Sequence, residues 1–189
     1  IINDAINKMD DGDILFYTDV GDIFTPALVP YVESIMEDDP CLLIKGNFKN
    51  KEWTRRDCFV YMECDEEDYW DSPQLEGGMS FWRVCDQSKE IIAEWLKYSC
   101  DRRIISDDEN VCGQDNFPTF KEHRWDQSIL TNLAVKNGLS VAPEDIRGYV
   151  ECNYDYWYER YAKGGAPTYR PVDKFLLEKK DELMGLYNA

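Results

Sequence analysis

Apolar positions along the first two-thirds of the chain alternate between helical and strand-like periods. Ile1, Ile2, Ala5, Ile6 and Met9 share one helical face, and Asp10-Asp11-Gly12 predicts its end. Asp13-Ile14-Leu15-Phe16-Tyr17 is a nearly continuous apolar run of strand length, the pattern of a buried parallel strand. It stops at Thr18-Asp19-Val20-Gly21-Asp22. Thr25-Pro26 then supplies a cap and a first helical position for a helix with a core face of Leu28, Val29, Val32, Ile35 and Met36. Asp38-Asp39-Pro40 breaks it, and Cys41-Leu42-Leu43-Ile44 reads as another strand. The order helix, strand, helix, strand predicts an α/β sheet.

Further along, Glu63 to Asp71 is acidic and aromatic, which predicts a surface loop, and Gly77-Gly78-Met79-Ser80-Phe81-Trp82 predicts a short strand entered through a glycine pair. Ser88 is placed to cap a helix carrying Ile91, Ile92, Trp95 and Leu96. Asp101 to Glu122 lacks periodicity and reads as a loop, of a length that is often functional. Trp125-Asp126-Gln127-Ser128 opens a helix with Ile129, Leu130, Leu133 and Ala134 inside and Gly138 at its close. A final helix is expected at Val172 to Leu186, after an aromatic cluster at Tyr154, Tyr156, Trp157, Tyr158 and Tyr161. One domain over 1–189 is expected, with 140–189 as a C-terminal extension.

Composition narrows the classes. With 189 residues, 43% of them hydrophobic, the chain can bury a core. The net charge of −17 repels a nucleic-acid backbone, and no basic stripe offsets it. No apolar run has the length of a membrane span. Seven cysteines without a Cys-x-x-Cys pair argue against a zinc site or a full disulfide framework and predict reduced, cytoplasmic thiols. The opening Ile1-Ile2-Asn3-Asp4 has no Met and no leader pattern, which predicts a piece of a longer protein.

Three segments carry candidate chemistry. Asp19 and Asp22 follow an apolar strand, where an open α/β sheet delivers groups to a cleft. Two acids suit a hard cation such as Mg²⁺ or Mn²⁺, although a turn and a helix cap explain the same pair equally well. In Gln74-Leu75-Glu76-Gly77-Gly78-Met79 the glycines admit a close neighbour, or form a turn. In Glu122-His123-Arg124-Trp125-Asp126-Gln127-Ser128, Asp126 is a catalytic candidate or a helix cap, and His123 is a candidate contact or a structural histidine.

Together these segments resemble a family. Asp11-Gly12-Asp13-Ile14-Leu15-Phe16-Tyr17-Thr18-Asp19-Val20-Gly21 is similar to the strand that ends at the metal-holding acids of GT-A glycosyltransferases of cell-surface polysaccharide and large-virus type. Gln74 through Phe81 resembles the strand beside the donor sugar, and His123-Arg124-Trp125-Asp126-Gln127-Ser128-Ile129-Leu130 resembles the segment next to the transferred sugar. The resemblance spans about Ile1 to Leu139. It implies a GT-A, Rossmann-like mixed sheet flanked by helices, lacking the nucleoside-binding strands that precede Ile1, so that this piece alone would be inactive. It implies Mn²⁺ or Mg²⁺ at Asp19 and Asp22, a nucleotide-sugar donor, and a glycan or other hydroxyl acceptor. Asp126 becomes the catalytic carboxylate, and Gln74, Glu76, Gly77, Gly78, His123 and Gln127 become substrate contacts. Gly21 stands where the family's second acid is expected, with Asp22 displaced by one. The competing expectations are a non-catalytic carbohydrate-binding or interaction domain on a degenerate form of the fold and, behind it, a nucleotidyltransferase or sugar hydrolase.

Overall fold

The chain divides into two units, Ile1–Glu151 and Cys152–Ala189. The computed structural model describes residues 1–151 apart from Val20, Gly21 and Thr25. The helix expected at 172–186, the aromatic cluster at 154–161 and the Thr25 cap lie outside the described residues.

In chain order the elements are α1 (Ile2–Ile6), β1 (Ile14–Thr18), β2 (Ile23–Phe24), α2 (Leu28–Met36), β3 (Cys41–Lys49), α3 (Asn50–Trp53) and α4 (Arg56–Tyr61). There follow α5 (Glu67–Trp70), β4 (Pro73–Arg83), α6 (Asp86–Ser99), α7 (Arg102–Ile105), α8 (Trp125–Asn137), a 3-10 turn at Glu144–Tyr149 and β5 (Val150–Glu151). β1, β4 and β3 form a sheet in that order, and β2 pairs with β5.

Both neighbours of β4 run antiparallel to it, so β1 is not the parallel strand its apolar run suggested. The reason is physical. A continuous apolar run reports cover on both faces of a sheet, and helices provide that whichever way the strands run. Leu15 and Trp82 are register partners on the face that packs into the main core with Ile91, Ile92, Ile129 and Leu133. Phe16 and Phe81 are partners on the other face, their rings stacked at 4.5 Å, where Leu28 and Val32 of α2 meet them. The result is an α/β arrangement with a small antiparallel sheet between helices.

Several boundaries differ from the pattern. β4 begins at Pro73, so the glycine pair lies inside a strand rather than at its entrance. Ser88 is the third residue of α6. Its hydroxyl takes the Cys85 N–H at 3.2 Å, completing a reciprocal cap. Val29 and Leu96, expected in the core, are exposed. Short helices α5 and α7 occupy parts of two expected loops. Gly138 closes α8 in the left-handed conformation at φ 60°, where a Cβ would be strained, as its position predicted.

α8 is buried on almost every side, from Ser128 through Ala134. Its polar residues therefore need partners. The Asn132 side-chain carbonyl accepts the Asn50 amide at 2.8 Å, the Ser128 hydroxyl donates to the Trp53 carbonyl at 2.8 Å, and the Thr131 hydroxyl accepts the Leu75 N–H at 3.1 Å.

The segment from Ser106 to Arg124 is held by a buried carboxylate. Asp57 accepts the Val111 N–H at 2.9 Å, the Cys112 N–H at 2.9 Å and the Arg55 guanidinium at 3.0 Å. Arg55 also donates to the Arg103 carbonyl at 2.6 Å and to the Asp108 carbonyl. Asp57 is fully buried. Burial pushes its pKa up, but the Cys112 thiol, the two backbone N–H groups and Arg55 outweigh this and leave it below the ordinary value. A carboxylate depressed in the folded state stabilises above its unfolded pKa of about 3.9 and loses that contribution as pH falls through the folded value. Asp57→Ala leaves Arg55 buried without its charge partner and is expected to cost about 3–5 kcal/mol at neutral pH, read from urea midpoints. The variant should also destabilise less than the parent between about pH 5 and pH 2. An unchanged midpoint at neutral pH would remove Asp57 from this role.

Candidate functional site

β1 ends at Thr18, and its ladder to β4 continues one step, with the Asp19 N–H donating to the Gly78 carbonyl at 2.8 Å. Tyr17 and Asp19 are two residues apart and so share a face. The Tyr17 hydroxyl donates to an Asp19 carboxylate oxygen at 3.4 Å, a long contact. Asp22 is tied back into the turn: its carboxylate accepts the Thr18 hydroxyl at 2.8 Å and its N–H donates to the Asp19 carbonyl at 3.3 Å. That is the turn role weighed for Asp22 from spacing alone.

The glycine pair makes room for two neighbours. A Cβ at Gly78 would lie 2.7 Å from an Asp19 carboxylate oxygen, and one at Gly77 would lie 3.1 Å from the Gln127 Cβ. With no Cβ at either position, both side chains sit close to the strand without displacement. The Gly77 N–H donates to the Gln127 side-chain carbonyl at 3.1 Å, and two residues earlier Leu75 makes its bond to Thr131. Residues four apart on a helix rise by about 6 Å, and residues two apart on a strand by about 6.6 Å. One helix face thus serves alternate strand N–H groups.

Asp126 is the second residue of α8 and not its cap, which is Arg124. Its carboxylate accepts the Gln127 N–H at 3.0 Å, and its carbonyl accepts the Trp95 indole N–H at 2.9 Å. The side chain reaches solvent, but the surrounding protein desolvates it. That desolvation raises its pKa, and the nearby charge of Asp19 adds to the rise. The Tyr17 pKa is raised by burial first, then by Asp19 and Asp126. Tyr17 therefore stands in the field of both acids. Trp125, 48% exposed, holds φ at +43°, an unfavourable conformation for a bulky residue, and its indole N–H donates to Asp107 at 2.9 Å.

The structure thus brings together Asp19, Gly77, Gly78, Asp126 and Gln127. Glu76 is half-buried and precedes the glycine pair on β4. Gln74 and His123 are elsewhere. Gln74 is buried, its amide donating to the Trp53 carbonyl at 3.3 Å and to the Ser128 hydroxyl at 3.4 Å. His123 is buried with Nδ1 accepting the Arg55 N–H at 3.2 Å and Nε2 against the Ile104 carbonyl at 2.8 Å. Burial lowers its pKa to about 4, so the ring is neutral. Gln74 and His123, expected as substrate contacts, have their polar atoms engaged inside the protein, away from Asp19 and Asp126. Tyr17 was missed as a site residue, although its two-residue offset from Asp19 on a strand was the available signal.

A concavity of about 550 Å³ lies beside β3, between Lys45, Phe48, Pro143 and Glu144, and none of these acids lines it. Convergence of chemical groups, not size, marks the candidate site. Among the described residues no helix is long and apolar enough to cross a membrane, and no group of three or more His, Cys, Asp or Glu converges. Compared with protein-family models, curated proteins and solved structures, the chain matches none of them.

Coupling between the acids is directly measurable. Asp19→Asn removes a like charge and is expected to shift the Asp126 pKa downward, read by carboxyl-carbon NMR titration. An Asp126 titration that ignores the substitution would separate the two residues.

Proposed function

We propose that this chain carries the reaction centre of a metal-assisted glycosyltransferase with a GT-A, Rossmann-like core, moving a sugar from a nucleotide-diphosphate donor to a hydroxyl of a glycan acceptor. One observation carries the reading: three segments far apart in sequence, at Asp19, Gly77-Gly78 and Asp126-Gln127, meet at one place. These are the segments on which the family resemblance rests.

The donor set fits a hard cation. Asp19 and Asp22 offer oxygen alone, and Mg²⁺ or Mn²⁺ commonly takes one or two protein carboxylates and completes its shell with water and substrate phosphates. Such an ion, when bound, neutralises charge on the departing diphosphate. Asp19 is the residue that would hold it, with Asp22 as second acid. Asp126 has the better protein environment for accepting a proton, because a desolvated carboxylate with a raised pKa is a stronger base. It takes the acceptor hydroxyl proton if configuration inverts, or stabilises positive charge at the anomeric carbon if configuration is retained. Gln127 spends its carbonyl on Gly77, which leaves the NH₂ end to donate to a sugar hydroxyl. Glu76, next to the glycine pair on β4, is the residue that would accept from another. The free, buried thiols of Cys58 and Cys64 suit a reducing, cytoplasmic setting.

A second reading keeps one specific support. Asp22 is engaged by Thr18, which favours a carbohydrate-binding domain whose metal site has degenerated. Mn²⁺ titration separates the two. The transferase reading expects saturable Mn²⁺ binding that Asp19→Ala abolishes. In a longer form that also carries the nucleoside-binding strands, it expects Asp126→Asn to lower transfer by about 10²-fold or more while donor affinity stays within about twofold. Mn²⁺ binding equal in Asp19→Ala and the parent would sink the metal assignment.

A further inference from the structure

Acids outnumber lysine and arginine by 38 to 21, and many of the cations are each matched to one carboxylate, as Lys8 is to Asp4, Lys89 to Asp11 and Lys136 to Glu94. The surface beside the end of β3 departs from this rule. The Lys121 ammonium lies 5.0 Å from the Trp53 ring centre and 5.2 Å from that of Phe48, with no carboxylate at ion-pair distance among the described residues. The Arg124 guanidinium stands 4.5 Å over Trp53, with Glu122 at 2.6 Å. Lys49 and Lys51 share a single acid, Asp71, at 3.2 and 2.5 Å. Phe48 is 51% exposed and packs on Trp53 at 5.3 Å between ring centres.

A ring holds a cation through its quadrupole without cancelling its charge. Lys121 is therefore fixed in place and still able to pair with an anion. Phe48 and Lys49 also form a wall of the 550 Å³ concavity, a volume in the range of small-molecule sites. The patch is bolted to the candidate reaction centre through Trp53. The Trp53 carbonyl accepts the Arg124 N–H at 3.0 Å and the Ser128 hydroxyl at 2.8 Å, and Arg124 precedes Asp126 by two residues.

We propose that the Phe48–Trp53–Lys121–Arg124 surface and its adjoining concavity bind a carboxylate-bearing saccharide, the acceptor chain of the transfer reaction. The acceptor role rests on the glycosyltransferase reading, whereas acidic-sugar binding does not. Charge and shape select this class. Lys49, Lys51, Lys121 and Arg124 supply separated positive charges, and the exposed Phe48 ring offers a face for the C–H side of a sugar. Asp71, Glu122 and the overall charge of −17 disfavour a dense polyanion such as a nucleic acid.

The test is calorimetric titration of the chain with hexagalacturonate and with neutral maltohexaose. The acidic hexamer should bind at least about tenfold more tightly, with affinity falling as salt rises. Lys121→Gln combined with Arg124→Gln should weaken it by about tenfold or more. Phe48→Ser, which changes no charge, should weaken it too and serves if the double variant fails to fold. Equal affinity for the two sugars, no binding at millimolar hexagalacturonate, or folded variants that bind like the parent would each overturn the site. Acidic-sugar binding by a chain that shows no saturable Mn²⁺ binding would overturn the transfer reading and leave the site standing. Transfer to an acidic acceptor whose KM ignores Lys121→Gln and Arg124→Gln would overturn the site and leave the transfer reading standing.

Discussion

A helix with almost no solvent face has to find a partner for every polar atom it carries, and α8 organises the rest of the fold by doing so. Ser128 grips α3 through the Trp53 carbonyl, Asn132 meets Asn50, and Gln127 and Thr131 serve alternate N–H groups of β4. Each bond alone contributes about 1 kcal/mol net, while breaking one leaves a buried group unsatisfied at about 1–3 kcal/mol. That asymmetry locks the register of α8 against β4. Because β4 is the central strand, the position of β1 and of Asp19 at its end follows from the same contact.

The site inherits its electrostatics from that arrangement. Burial first, and the nearness of Asp19 after it, raises the pKa values of Asp126 and Tyr17 in a protein whose net charge is −17. The left-handed backbone at Trp125 sets the direction in which α8 starts and is held by packing around it, including the Trp95 bond to the Asp126 carbonyl. Rigid placement of this kind lets one carboxylate be desolvated while Asp22, a few residues from Asp19, is spent on a turn.

Elsewhere the acidic surface uses its cations sparingly. Arg55 and Asp57 compensate each other beneath the loop at 106–124, and Lys121 lies against neutral rings. The two devices have opposite consequences. A buried pair of opposite charges fixes a loop and presents nothing outward. A cation held by aromatic rings stays fixed and presents its full charge.

Much of the fold was legible from local pattern. The apolar run ending at Tyr17, the helix opening at Trp125 and the glycine closing it were all readable, because periodicity and the steric demands of glycine are properties of neighbouring residues. The Asp19, Gly77-Gly78 and Asp126 segments could be picked out by residue type. Strand direction was not readable, since a two-faced apolar run carries no information about its neighbour. Nor were the fates of Gln74 and His123, which depend on carbonyls at Trp53 and Ile104 that approach only after folding. The same holds for Asp22 against a helix cap and for the reason behind the glycine pair. Sequence by itself determined where most of the longer helices and strands form and which residue types are available for chemistry. Tertiary structure alone decided which polar atoms are spent on the core and which remain at the site, because hydrogen-bond partners and desolvation are set by long-range packing.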